Sequence, residues 1–88
     1  MRKNSRKKRI EEILYISFAP SFLQVIDNSK EHEGHVGVKG NHGETHFCIK
    51  MSSDLFKNLN KVQMHQKVYA VLKEEFDSGL HAVQLDLN

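Results

Sequence analysis

The chain has 88 residues, 39% of them hydrophobic and 27% charged, with a formal net charge of +2. That is the size and composition of one globular domain, too small for a second lobe with a cleft between. No apolar run approaches the roughly 20 residues of a membrane-spanning helix. No secretory signal is visible, because the basic start leads into Glu11 and Glu12 and not an apolar stretch. One cysteine, Cys48, excludes an internal disulfide and fits a reducing, cytoplasmic setting.

The charge is unevenly placed. Arg2, Lys3, Arg6, Lys7, Lys8 and Arg9 put six positive charges in the first nine residues, leaving seven basic against eleven acidic residues, a net of −4, for the rest. A basic tail over residues 1–8 on an acidic body can attract nucleic acid or an acidic partner. The same residues also read as a solubilising helix start, and the body lacks the basic face expected of a nucleic-acid binder.

The spacing predicts a first helix over Ser5–Phe18, with Ile10, Ile13, Leu14, Ser17 and Phe18 on one stripe. Its basic first turn opposes the helix dipole and is expected to fray, and Pro20 ends the helix. Phe22–Asp27 reads as a strand, followed by the turn signal Asp27-Asn28-Ser29. The stretch from Glu31 to His46 then holds four of the six histidines (His32, His35, His42, His46) and four of the five glycines. Ordering such a stretch costs roughly 1–2 kcal/mol per residue in backbone entropy and buries little apolar surface, so it is either slack or a binding segment.

A second strand is expected over Glu44–Met51, with Thr45, Phe47, Ile49 and Met51 facing the core and Glu44, His46, Cys48 and Lys50 facing away. Ser52-Ser53-Asp54 can cap a short helical turn through Phe56. Asn60, with Gln63 three residues on, forms a capping box for a second long helix ending before Gly79. Its expected buried stripe is Val62, His65, Tyr69, Leu72 and Phe76, widened by Val68 and Val71. Leu80–Leu87 alternates as a third strand, with His81 opening its apolar face. The first two strands should pair antiparallel, and the third, reached through a helical crossover, should run parallel to the second. The expected fold is α+β: a two-layer α-β-β-α-β sandwich with a three-stranded mixed sheet.

No nucleophile elbow, phosphate-cradling loop or paired acid and base is present, so an enzyme is not expected. Cys48 lies mid-strand and not at a helix start, and reads as inert. Imidazole suits zinc, copper, iron and nickel, but the histidine pairs 32/35 and 42/46 have no Cys-x-x-Cys beside them and match no zinc-finger spacing. His65 reads as a satisfied histidine at the core edge beside Tyr69. His81 reads either as a half-buried histidine bonded to backbone or as a fixed ligand facing the histidine-rich loop. Two imidazoles leave coordination positions open, which suits a metal shared with a partner.

Five segments, taken in order and spacing, carry a resemblance over residues 9–87. They are Arg9-Ile10-Glu11-Glu12, Phe22-Leu23-Gln24-Val25-Ile26-Asp27-Asn28-Ser29, Gly43-Glu44-Thr45-His46-Phe47, Val62-Gln63-Met64-His65-Gln66-Lys67-Val68-Tyr69 and Gly79-Leu80-His81-Ala82-Val83. Together they resemble the BolA family. The resemblance implies a BolA-like fold similar to class II KH domains, and a single domain over residues 1–88. It implies partnership with monothiol, CGFS-type glutaredoxins, the pair bridging a [2Fe-2S] cluster together with glutathione, for cluster trafficking or iron sensing. No cofactor is expected in the isolated chain, which should be a monomer when free.

The family's last-strand histidine ligand maps onto His81. Its loop ligand maps onto His32 when counted from Asn28-Ser29, or onto His35 when the Gly-His step is matched, with His46 in Glu-Thr-His-Phe a further candidate. The alternative role implied by the KH-like fold is nucleic-acid binding and transcription regulation, through Lys57, Asn60, Lys61, His65 and Lys67. The sequence departs from the family pattern there: Asn58 replaces a glycine, and Met64 and Gln66 replace two arginines, which removes phosphate contacts.

Overall fold

The structure is a computed structural model and describes residues 5–28 and 45–88. Helix α1 (Arg6–Phe18) leads into strand β1 (Phe22–Asp27). Strand β2 (His46–Ser52), a 3-10 turn (Asp54–Phe56), helices α2 (Lys61–Val71) and α3 (Lys73–Asp77), and strand β3 (Ala82–Leu87) complete the order. The sheet order is β1-β2-β3, with β1 antiparallel and β3 parallel to the central β2. This is the expected three-stranded mixed sheet of an α+β fold.

Register follows from alternation. Val25 lies opposite Ile49, and Ile49 opposite Leu85, so the apolar side chains of all three strands share one face. Phe47, Ile49 and Met51 are buried there together with Val25 and Leu87. The helices cover that face with Ile10, Leu14 and Phe18 from α1 and Met64, Val68 and Leu72 from the α2 segment. The reverse face carries Phe22, Gln24 and Ile26 of β1, His46, Cys48 and Lys50 of β2, and Ala82, Gln84 and Asp86 of β3. Phe22 and Ile26 are exposed there.

Local chemistry sets the boundaries. Ser5 caps α1 by accepting from the Lys8 amide, and α1 ends in the left-handed residue Ala19 (φ 44°) just before Pro20. Ser53 caps the 3-10 turn and is buried, its hydroxyl donating to the Phe18 carbonyl at 2.6 Å. One serine therefore caps the turn and ties it to the end of α1. Asn60 and Gln63 form the expected capping box at the start of α2.

Two expectations are corrected. The second helix does not run unbroken to Gly79: it ends at Leu72 (φ −95°, ψ 6°), and α3 restarts from the next residue. Its buried stripe is Met64, Val68 and Leu72, with Val71 and Phe76 partly buried, and not the expected line through Val62, His65 and Tyr69. At about 100° per residue, Val62 and Tyr69 lie on the far side from Met64. Val62 is accordingly 64% and Tyr69 44% exposed, and His65 is half-buried. Apolar residues occupy both faces of this helix, so spacing alone admits either stripe, and the sheet selects the one with Met64. Tyr69 instead stacks on Phe76 across the break, with ring centroids 5.2 Å apart.

The basic first turn of α1 is unfavourable for the helix dipole, and contacts to α3 oppose the fraying expected of it. Arg6 and Arg9 both donate to the Glu75 carboxylate, at 2.7–2.9 Å, and Arg6 also reaches the Ser78 carbonyl. Gly79 follows at φ +125°, a conformation that side chains rarely adopt, with the Arg6 guanidinium 3.4 Å from where a Cβ would stand. Hydrogen bonds and charge from Arg9, then Arg6, hold the Glu75 carboxyl below the usual value of 4.5, against the opposing effect of burial.

Two outcomes test this packing. Ile49→Ala, at a fully buried site on the central strand, should cost about 2–5 kcal/mol in chemical denaturation. Glu75 has a folded-state pKa below its unfolded value, so its stabilisation is present above about pH 4.5 and fades as pH falls through the lower folded value. Glu75→Gln should therefore cost about 1–2 kcal/mol at neutral pH and flatten the acid limb of the stability–pH curve.

Candidate metal site at the β2–β3 end

The parallel pairing of β2 and β3 places His46 opposite Ala82. His81 immediately precedes Ala82, so it sits at the same end of the ladder. The amides of His81 and Ala82 both donate to the Thr45 carbonyl, at 2.9 and 3.1 Å. The two imidazoles meet edge to face, with ring centroids 5.6 Å apart and an interplanar angle of 81°. Thr45 is 9% exposed, and its hydroxyl oxygen lies 2.9 Å from His46 Nδ1.

His81 is exposed. Of its two readings, the half-buried one does not hold for the ring, and β3 begins one residue later. Its main-chain N–H bonds to backbone, as the structural alternative required, while its ring stays accessible. His46 is half-buried. It was a further candidate from the Glu-Thr-His-Phe motif, and among the described residues it is the imidazole that stands beside His81. The signal was its place on the outward face of β2 combined with the parallel register, which needs the sheet order and not the motif alone. His32 and His35, the loop candidates, lie outside the described residues.

Imidazole donors fit iron in a cluster and other borderline metals. Among the described residues no group of three or more His, Cys, Asp and Glu side chains converges. A metal held at His81 and His46 would therefore need further ligands from elsewhere. Cys48 is half-buried on the same sheet face, across from Ile26 and Gln84.

The alternative nucleic-acid surface is partly committed to structure. Asn60 is occupied as a helix cap, accepting from the Gln63 amide at 2.8 Å. The Lys61 ammonium donates to the Leu87 carbonyl at 2.8 Å, tying α2 to the end of β3. Lys57 and Lys67 are exposed and His65 half-buried. Asn58 has φ 66°, so asparagine here takes the left-handed conformation that the family's glycine would supply. No described helix is long and apolar enough to cross a membrane.

Residues 14–88 match the family model described as BolA-like protein. The chain is 42% identical over 82 residues to Protein BOLA1, chloroplastic, of Arabidopsis thaliana, covering 92% of this chain and 51% of that protein, so it spans about half the relative's length. It is 39% identical over 79 residues to the DNA-binding transcriptional regulator BolA of Haemophilus influenzae, covering 89% of this chain and 71% of that one. The solved structure of BolA1 from Arabidopsis thaliana superimposes with a TM-score of 0.86 at 39% identity, covering 99% of this chain and 94% of that one. These relatives are named as regulators or family proteins and not as enzymes. The fold, the segments that carry the motifs and the match over most of the sequence agree, and the chain belongs to the BolA family.

Proposed function

We propose that this protein is a non-enzymatic partner of a monothiol, CGFS-type glutaredoxin, in which His81 ligates a [2Fe-2S] cluster bridging the two proteins, for cluster trafficking or iron sensing in a reducing compartment such as the cytoplasm. The observation that carries this reading is an exposed imidazole at the end of a rigid parallel ladder, beside a second imidazole, with no group of three or more donors among the described residues. Such a half-site suits a metal whose other ligands arrive with a partner, here a cysteine of the glutaredoxin and glutathione. The second ligand from this chain would be His35 or His32, with His46 as the described residue nearest to His81. The cluster is then a shared group, and the isolated chain carries none.

A second reading is favoured by the relative named as a DNA-binding transcriptional regulator and by the left-handed Asn58, which keeps the turn between the 3-10 segment and α2 that a KH-like clamp uses. It is weakened by the use of Asn60 and Lys61 within the fold, which leaves Lys57 and Lys67 as the exposed lysines of that surface not bonded within it.

Anaerobic reconstitution of the protein with a monothiol glutaredoxin and glutathione should give a visible circular-dichroism spectrum distinct from that of the glutaredoxin homodimer. His81→Ala should abolish that difference; an unchanged spectrum and complex would sink the ligand assignment. For the second reading, DNA or RNA should shift the amides of residues 57–67, and Lys57→Ala and Lys67→Ala should each lower the salt dependence of binding by about one unit of slope. Shifts confined to residues 1–9 would mean nonspecific attraction.

A further inference from the structure

A groove of about 250 Å³ lies between α1 and the junction of α2 with α3. Glu12, Ile13 and Ile16 line one wall, on a single stripe of α1, and Val71 and Glu74 line the other. Ile13 and Val71 are partly buried against the core and give the groove an apolar floor. Ile16, 80% exposed, carries that apolar surface outward. A single exposed isoleucine is ordinary on a protein surface, but this one continues an apolar floor flanked by carboxylates, the pattern of an interaction site. Arg9 and Glu75 also line the groove, and their ion pair, at 2.7 Å, sets one positive charge against one negative. Glu12 and Glu74 are exposed, and neither enters an ion pair among the described residues. The groove therefore keeps two carboxylates in excess, one on each wall.

We propose that this groove docks a basic amphipathic helix of a partner protein, its aliphatic side chains seated on Ile13, Ile16 and Val71 and its Lys or Arg residues meeting Glu12 and Glu74. A channel between two helices takes a third helix by the same ridge-and-groove packing that joins the first two. Apolar residues at i, i+3, i+4 and i+7 of the incoming helix cover the floor, and cations on either side of that stripe reach the two walls. Burial of Ile16 supplies affinity. The carboxylates supply orientation and the choice of partner, since exposed ion pairs steer binding more than they strengthen it. The same carboxylates repel phosphate, so nucleic acid and anionic lipid are disfavoured here. The groove is thus distinct in charge from the surface around Lys57 and Lys67, and it uses none of the histidines of the candidate metal site.

The test follows backbone amides of the 15N-labelled full chain by NMR as a synthetic helical peptide is added, with Leu at i, i+3, i+4 and i+7 and Lys at the flanking positions. A second peptide carries Glu in place of every Lys. The lysine peptide should shift amides within 12–16 and 71–75, and its affinity should fall as salt is raised. The glutamate peptide should leave those amides in place. Glu12→Gln and Glu74→Gln should each weaken the lysine peptide by about two- to fivefold, and Ile16→Ser by roughly tenfold. All three side chains are exposed, so denaturation midpoints of the variants should stay close to wild type, and a folding effect does not account for the loss. Equal binding of the two peptides, shifts centred outside the groove, or no shift at millimolar peptide overturns the proposal. So do variants that bind as wild type does. Shifts at 12–16 and 71–75 that appear on concentrating the protein alone would assign the groove to a second copy of this chain and overturn the proposal as well.

Discussion

Pairing of the central strand on both edges is the constraint on which the rest of the molecule depends. β2 holds β1 antiparallel on one side and β3 parallel on the other. A parallel neighbour cannot be reached by a tight turn, so the chain must cross over through helices before returning. That crossover brings α2 onto the face that Phe47, Ile49 and Met51 make apolar. It also returns the chain at the same end of β2 from which that strand sets out. The candidate site follows from this geometry: residues 45–46 and 81, far apart in sequence, arrive at one ladder end and share the Thr45 carbonyl.

The same arrangement sets how the two imidazoles are presented. Among the described residues, no helix lies over the sheet face that bears His46 and Cys48. Donors there are held firmly by the ladder yet remain accessible. This arrangement places two imidazoles edge to face at the end of a parallel ladder, with the His81 ring exposed. The helical side of the molecule is, by contrast, engaged internally. Lys61 reaches back to β3, Asn60 is spent on its cap, and Arg6 and Arg9 are drawn to Glu75. Part of the positive charge that sequence alone offers to a nucleic acid is thus used to hold α1 to α3. What that network contributes instead is an anchor for a helix whose first turn has the wrong charge for its dipole.

Much of the fold was legible before any coordinates. Alternation at Thr45, Phe47, Ile49 and Met51 marked the buried face of β2, and the capping box at Asn60 and Gln63 marked the start of α2. The stripe of α2 was not legible. Val62, Tyr69, Met64 and Val68 present apolar groups on two sides, and a periodicity argument ranks neither. The break at Leu72 was missed for the same reason: the apolar spacing continues through it to Phe76, while the backbone departs from helical geometry there. The contact between His46 and His81 was not legible, because the two lie far apart in the chain and meet only through the parallel register.

Local chemistry in the sequence therefore determined the elements, their order, the caps, the family and the identity of His81 as a residue of interest, because caps, turns and alternation depend on neighbours a few residues apart. Tertiary structure decided which face of α2 is buried, which cations are bonded within the fold, and that the His46 imidazole stands beside that of His81. Those outcomes depend on which surfaces meet after the crossover. Distance across a sheet is set by register between strands, and no spacing within one segment encodes it.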